Sequence, residues 1–181
     1  MKRTIVQPAD LSGAALAEFK QWLGISSANE SVQLAMLLSA SLELCESFTA
    51  QMPLEQGCEE RLAATQGWLA LDTRPVRAIT SVETLTADGS RNALATGEYE
   101  IEIGATGLGQ IRLTGEPSDR TLVVSFVAGI APEWASLPDA LRHGIIRLAA
   151  HNYRDRDASE PLGPPASVAA LWRPWRRLRL A

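Results

Sequence analysis

Apolar residues recur every three or four positions between residues 137 and 157, which predicts an amphipathic α-helix. The apolar positions are Leu137, Leu141, Ile145, Leu148, Ala149 and Tyr153. Pro138 suits the first turn, where its missing N–H costs nothing, and prolines after residue 160 predict an end near 157. Gly144 weakens this helix by about 1 kcal/mol relative to Ala, so we expect another backbone to come close there. We call 137–157 the anchor helix.

Two helices are predicted before it, and together they form a helical hairpin over residues 12–51. Leu16, Phe19 and Leu23 share one face of the first helix, and Gly24 is its expected C-cap. The second helix, from Val32 to about residue 51, has apolar residues around so much of its circumference that burial on more than one side is expected. The hairpin should pack on the anchor helix.

The pattern changes to short alternating strands between residues 58 and 129. Tyr99, Ile101 and Ile103 point to one face, and the intervening glutamates, Glu98, Glu100 and Glu102, point to the other. The stretch 122–127 is apolar on both faces and should be central in a sheet. We therefore predict an antiparallel meander of about five or six strands, inserted between the second helix and the anchor helix. The fold class is α+β, in one domain spanning 1–181.

The segment 161–181 is predicted to leave the globule as an extended C-terminal arm. Three prolines stand in the linker 159–165, and two tryptophans and four arginines follow within a short stretch. The residues of this arm that we expect to bind a partner are Leu171, Trp172, Arg173, Pro174, Trp175, Arg176, Arg177, Leu178 and Arg179. Trp and Arg are enriched at binding hot spots, and exposed Trp otherwise favours aggregation. Two alternatives stay open: tryptophans folded back on the core, and an arm that binds nucleic acid.

The composition of the chain argues against several classes of protein. The chain has 181 residues, a net charge of −4 and a pI near 5.3, which argues against a general nucleic-acid coat. It has no apolar run of about 18 residues, so no membrane-spanning helix is predicted. The basic start lacks an apolar stretch, so no signal peptide is expected there. Cys45 and Cys58 are interpreted as free thiols in a reducing cytoplasm.

No residue set typical of catalysis or metal binding emerges. His143 and His151 stand eight apart on one helix without ligand partners at three or four residues, so a zinc site is not expected. Cys45 lies on an apolar helix face and is interpreted as a core thiol. Asp155 and Asp157 alternate with arginines, which favours surface ion pairs over a nuclease site. We predict no catalytic, cofactor-binding or metal-binding residue, and no cofactor.

Several motifs in order resemble the head–tail connector (adaptor) proteins of long-tailed phages and gene transfer agents. The motifs begin after the early helical pair, with 74–82 (RPVRAITSV), Tyr99 and 123–129. The 137–154 helix follows, which opens with Leu-Pro and ends in Tyr-Arg. The last motif is 171–176 (LWRPWR). Trp175 departs from the family pattern, where a tyrosine is commoner.

The resemblance implies a non-enzymatic ring subunit, commonly twelvefold, under the portal of a virion or gene transfer agent particle. Its implied partners are other copies of itself, the portal protein reached by the C-terminal arm, and a tail-proximal connector or stopper protein. DNA would pass through the lumen without sequence-specific binding, and no membrane is involved. The subunit would reside in the bacterial cytoplasm during assembly, with polar flanks that keep it soluble. The alternatives are another ring component, such as a head-completion or tail-terminator protein, and a small hydrolase.

Overall fold

The computed structural model describes residues 3–115, 121–154 and 163–177, and it is an α+β fold. The strands are β1 (Arg3–Gln7), β2 (Gln56–Ala63), β3 (Leu69–Ala70), β4 (Val76–Leu85), β5 (Arg91–Ala93), β6 (Tyr99–Ile103), β7 (Gly109–Leu113) and β8 (Thr121–Ala128). The helices are α1 (Ala14–Leu23), α2 (Ser31–Thr49), α3 (Asp139–Arg154) and α4 (Ala166–Trp172), with 3₁₀ turns at Trp134–Ser136 and Arg173–Trp175. The predicted α+β class is confirmed.

The chain separates into two compact units where the sequence suggested a single domain. The sheet unit comprises Met1–Pro8 and Glu55–Gly129, and the helical unit comprises Ala9–Leu54 and Ile130–Ala181. The β region therefore begins near the predicted residue 58 and ends at the predicted residue 129. It also recruits β1 from the N-terminus, a strand that the sequence pattern did not indicate.

The sheet unit contains two antiparallel sheets, so the prediction of one meander is wrong. The first has the order β1-β2-β8-β4-β5 and the second has the order β3-β7-β6. β2 pairs with β8 along its length, while β3 pairs with β7, so neither strand pairs with the other although they are neighbours in sequence. The prediction for 122–127 is confirmed: β8 lies between β2 and β4, and both Leu122 and Val123 are buried although they face opposite sides of the sheet.

Glu60 is buried in the sheet unit and fixes the loop after β3. Its two carboxylate oxygens accept hydrogen bonds from the backbone N–H groups of Asp72 and Thr73, each at 2.9 Å, and one of them also accepts from the Thr73 hydroxyl. A buried carboxylate would cost free energy without such donors. Charge-assisted hydrogen bonds are about twice as strong as neutral ones. Glu60 therefore holds the loop after β3 against β2.

Glu60→Gln should lower the free energy of unfolding by about 2 kcal/mol. The amide nitrogen of Gln cannot accept, so at least one buried backbone N–H loses its partner. Chemical denaturation of the full chain measures the change. Glu100→Gln is the matched control, since Glu100 is exposed and pairs with Arg112 at the surface, where loss of an ion pair costs under about 1 kcal/mol. Equal effects of the two substitutions would show that Glu60 does not stabilise the loop after β3.

The helical unit is built around one apolar core supplied by all four described helices. Phe19 of α1, Leu34 and Leu38 of α2, and Leu141 and Ile145 of α3 are completely buried in it. Gly24 ends α1 in the left-handed conformation with φ +71°, as predicted. The anchor helix is observed as α3 through Arg154, and its predicted end at 155–157 lies outside the described residues. None of the described helices is long and apolar enough to cross a membrane.

Candidate docking surface at the C-terminal segment

Residues 166–177 pack on the helical unit, so the prediction of an extended arm is wrong for this stretch. Val168 and Trp172 of α4 are buried in the same core as α2 and α3. Trp172, which the sequence analysis assigned to the docking residues, thus lies on the apolar side of a short helix. The interpretation that folds Trp172 back on the core, left open from sequence, is the one that the structure supports.

Trp172 occupies a site that only a glycine in α3 permits. A Cβ at Gly144 would overlap the indole nitrogen of Trp172. That nitrogen donates a hydrogen bond to the carbonyl oxygen of Leu141 at 3.3 Å, and the indole lies 6.0 Å from the Phe48 ring, centroid to centroid. The close approach expected at Gly144 is therefore present, but an indole side chain makes it rather than a backbone.

The residues after Trp172 attach to the C-terminal end of α2. The Gln51 side chain donates to the Trp175 carbonyl at 2.6 Å, and the Arg177 backbone N–H donates to the Thr49 carbonyl at 2.9 Å. The Arg176 guanidinium lies 5.5 Å from the centroid of the Phe48 ring. Helix C-termini carry unpaired carbonyls and partial negative charge, so this arginine-rich segment both caps α2 and complements its dipole.

The outer side of residues 173–177 faces solvent. Arg173, Pro174 and Arg176 are exposed, and Trp175 and Arg177 are half-buried. Neither Arg173 nor Arg176 forms an ion pair with another described residue. Planar guanidinium groups bind carboxylates with two parallel hydrogen bonds. The segment is therefore a positioned, cationic surface rather than a loose arm. Leu178 and Arg179 of the predicted site lie outside the described residues.

The residues weighed for catalysis are not brought together among those described. No group of three or more His, Cys, Asp or Glu side chains in 3–115, 121–154 and 163–177 is arranged to hold a metal ion. His143 packs its ring edge against Trp22 with centroids 5.3 Å apart. Among the described residues that line a cleft of about 290 Å³ between the β2–β3 loop and β7, Arg112 is the one with a titratable side chain. Asp155 and Asp157 fall outside the described ranges.

Cys45 and Cys58 are both free, as predicted, and both are buried, which was predicted for Cys45 alone. Burial raises the pKa of the Cys45 thiol far above its usual range, with a smaller contribution from the neighbouring charge of Glu46. A thiol of this kind is a poor nucleophile, since the thiolate is the reactive form. A small hydrolase that used Cys45 would therefore lack an activated nucleophile.

Cys45→Ala should cost about 1 kcal/mol of stability, as other small losses in a core do, and should leave function intact. The native thiol should also resist a maleimide reagent until the chain is denatured. Thermal unfolding and mass-detected labelling check both expectations. A folded Cys45→Ala protein that fails to assemble would show that this cysteine does more than fill the core.

Known structures resemble the chain along its whole length. A chain in the neck of an empty gene transfer agent particle, computed with C6 symmetry, aligns with a TM-score of 0.81 and 24% sequence identity. A chain of the native gene transfer agent virion aligns at 0.75, and one in the native particle's neck, computed with C12 symmetry, at 0.76, each with 25% identity. Each alignment covers 100% of this chain and 98% of the other.

No protein-family model and no curated protein matches the sequence. The likeness therefore rests on structure, and it includes the sheet unit, the helical unit and the C-terminal segment. Taken with the motifs from residue 74 to residue 176, this full-length agreement in fold confirms the resemblance of the chain to the head–tail connector proteins of phages and gene transfer agents.

Proposed function

We propose that this chain is a structural adaptor subunit at the head–tail junction of a phage or gene transfer agent particle. The observation that carries the proposal is the full-length agreement with chains from the neck and virion of a gene transfer agent. Agreement across both compact units and nearly the whole of the other chains argues for the same architectural role, rather than for one shared module. An enzymatic role has no comparable support, so the subunit is proposed to be non-catalytic.

The subunit is proposed to act as a closed ring under the portal, with twelve copies. The neck of the native particle that contains a similar chain was computed with C12 symmetry. A ring of a chain with a net charge of −4 suits a conduit, because net negative charge repels phosphate and lets DNA slide. The ring would extend the DNA channel without reading sequence, and a tail-proximal connector or stopper protein would bind its far side.

The portal is proposed to bind the outer side of the C-terminal segment. Arg173 and Arg176 are exposed on a backbone fixed by the buried Trp172 and by the cap on α2. A surface that is already ordered loses little conformational entropy on binding. The proposal thus keeps the predicted docking residues at 173–176 but assigns Trp172 to the core.

Imaging of intact particles tests this assignment. We expect the chain in a twelvefold layer directly below the portal, and we expect particles made without it to have DNA-filled heads and no attached tails. Density for the chain at the tail end would identify a tail terminator, and density one layer further from the portal would identify a head-completion protein. Either position would overturn the adaptor proposal.

A further inference from the structure

The outer face of α2 carries an apolar row. Val32 and Met36 are 76% and 67% exposed, and Ala40 continues the row before Glu43. These positions follow the spacing that places residues in one line along a helix. The helix contains no Lys or Arg, whereas a water-facing helix row normally carries charged residues. This apolar row differs from the polar flanks that were expected of the subunit.

The outer face of α3 carries a basic row with the same spacing. His143, Arg147 and Arg154 are exposed along it, and His151 is half-buried. Trp22 of α1, which is 44% exposed, packs against His143, so an aromatic side chain lies beside the first residue of this row. The two rows are therefore equal in length, roughly 16 Å each. The α2 row is apolar and ends in a carboxylate, whereas the α3 row is basic.

We infer that α2 of one copy packs along α3 of the next copy in the ring. This inference rests on the proposed function, which supplies the ring. The two rows lie on different helices, so the contact is heterologous, the kind that closes into rings. In a parallel alignment the apolar end, Val32 and Met36, meets Trp22 and the aliphatic stem of Arg147. Glu43 then meets Arg154.

A second copy fits the α2 row better than DNA or an acidic protein does. The row offers no cation to a phosphate or a carboxylate, and its charged end is acidic. Ala40 and Ser47 are small and exposed, and small residues let another helix come close. The basic, aromatic-flanked row of α3 on the same chain supplies the matching charge and apolar surface.

Cross-linking tests the contact without the particle. The full chain carrying both Met36→Cys and Arg147→Cys is treated with a short bis-maleimide over a concentration series. We expect a ladder of multimers that ends at a closed ring, because each copy links to a different neighbour on each side. Each single-cysteine variant should stay monomeric. The native cysteines give little background because both are buried.

The outcomes separate the alternatives. A dimer from the Met36→Cys variant alone would show an α2–α2 contact and overturn the inference. So would the lack of a ladder both in the free chain and in purified necks, even if imaging places the chain at the neck. A ladder from a chain that imaging places elsewhere would sustain the contact while overturning the adaptor proposal.

A charge exchange gives an independent check in assembled particles. Met36→Lys places like charge against Arg147 and should reduce incorporation into the neck by about tenfold or more. Adding Arg147→Glu to that variant should restore incorporation. Gln66→Lys, on the exposed β2–β3 loop, is the control and should change nothing. Failure of the double variant to recover, with its fold intact by circular dichroism, would contradict the α2–α3 pairing.

Discussion

Trp172→Ala should lower the free energy of unfolding of the helical unit by about 4 kcal/mol, within the range for large aromatic deletions in a core. The indole is completely buried, fills the space over Gly144 and donates to the Leu141 carbonyl. Domains of this kind are stable by only about 5–15 kcal/mol, so the substitution should bring the unit close to its unfolding threshold. Denaturation followed by tryptophan-independent circular dichroism measures the loss.

Gly144→Ala tests the same contact by changing the residue of α3 that faces the Trp172 indole. Helix propensity alone would make alanine more stable by about 1 kcal/mol. The overlap of a Cβ with the rigid indole should outweigh that gain and displace α4. We therefore expect Gly144→Ala to destabilise the full chain. In a chain truncated after Leu162, which lacks the indole, the same substitution should become neutral or stabilising.

Trp68→Ala is the control for aromatic loss as such. Trp68 is 39% exposed and has the Arg112 guanidinium 4.9 Å from its ring centroid, so its removal should cost about 1 kcal/mol or less. Truncation after Leu162 should resemble Trp172→Ala. A truncated chain with an unchanged thermal transition would show that α4 is not part of the core, and would restore the extended arm predicted from sequence.

The elements with strong periodicity were predictable from sequence, and their partners were not. The repeat of Leu141, Ile145 and Leu148 predicts α3 because a 3.6-residue period has one geometric solution. The apolar run 122–127 predicts a central strand for a similar reason. Strand pairing depends on contacts between distant residues, so nothing in β2 or β3 indicates that one pairs with β8 and the other with β7.

The C-terminal segment shows why the sequence alone did not place Trp172 in the core. A tryptophan that fills a core and a tryptophan that docks on a partner look identical in sequence. What decides between them is Gly144, 28 residues earlier, whose missing side chain makes room for the indole. The prolines after residue 160 indicated a break in the anchor helix, but a break also allows the chain to fold back. The α2 row does not stand out in the sequence, because apolar residues recur around so much of this helix that exposed and buried ones look alike.

Reversing two charges, with Arg173→Glu and Arg176→Glu together, should abolish attachment of the subunit to filled heads while leaving the fold intact. Both side chains are exposed, and neither forms an ion pair with another described residue. The double reversal does remove the contact of Arg176 with the Phe48 ring and the favourable positive charge beside the C-terminus of α2. The Arg177 backbone N–H and the Gln51 side chain would still hold the segment on α2. A cooperative thermal transition within about 5 °C of the wild type would confirm that the fold survives, since losing the Arg176–Phe48 contact and the favourable charge beside α2 costs about 1 kcal/mol.

Single changes at the same positions define the mechanism. Arg173→Ala or Arg176→Ala should weaken attachment a few-fold, as expected for exposed charge pairs, and the difference from wild type should shrink as salt is added. Arg61→Glu, an exposed arginine in the sheet unit, is the matched control and should attach normally. Attachment is scored as the fraction of filled heads that retain the subunit after purification. If the double reversal attaches at wild-type levels, the portal binds another surface, and the exposed cations of the C-terminal segment serve only to cap α2.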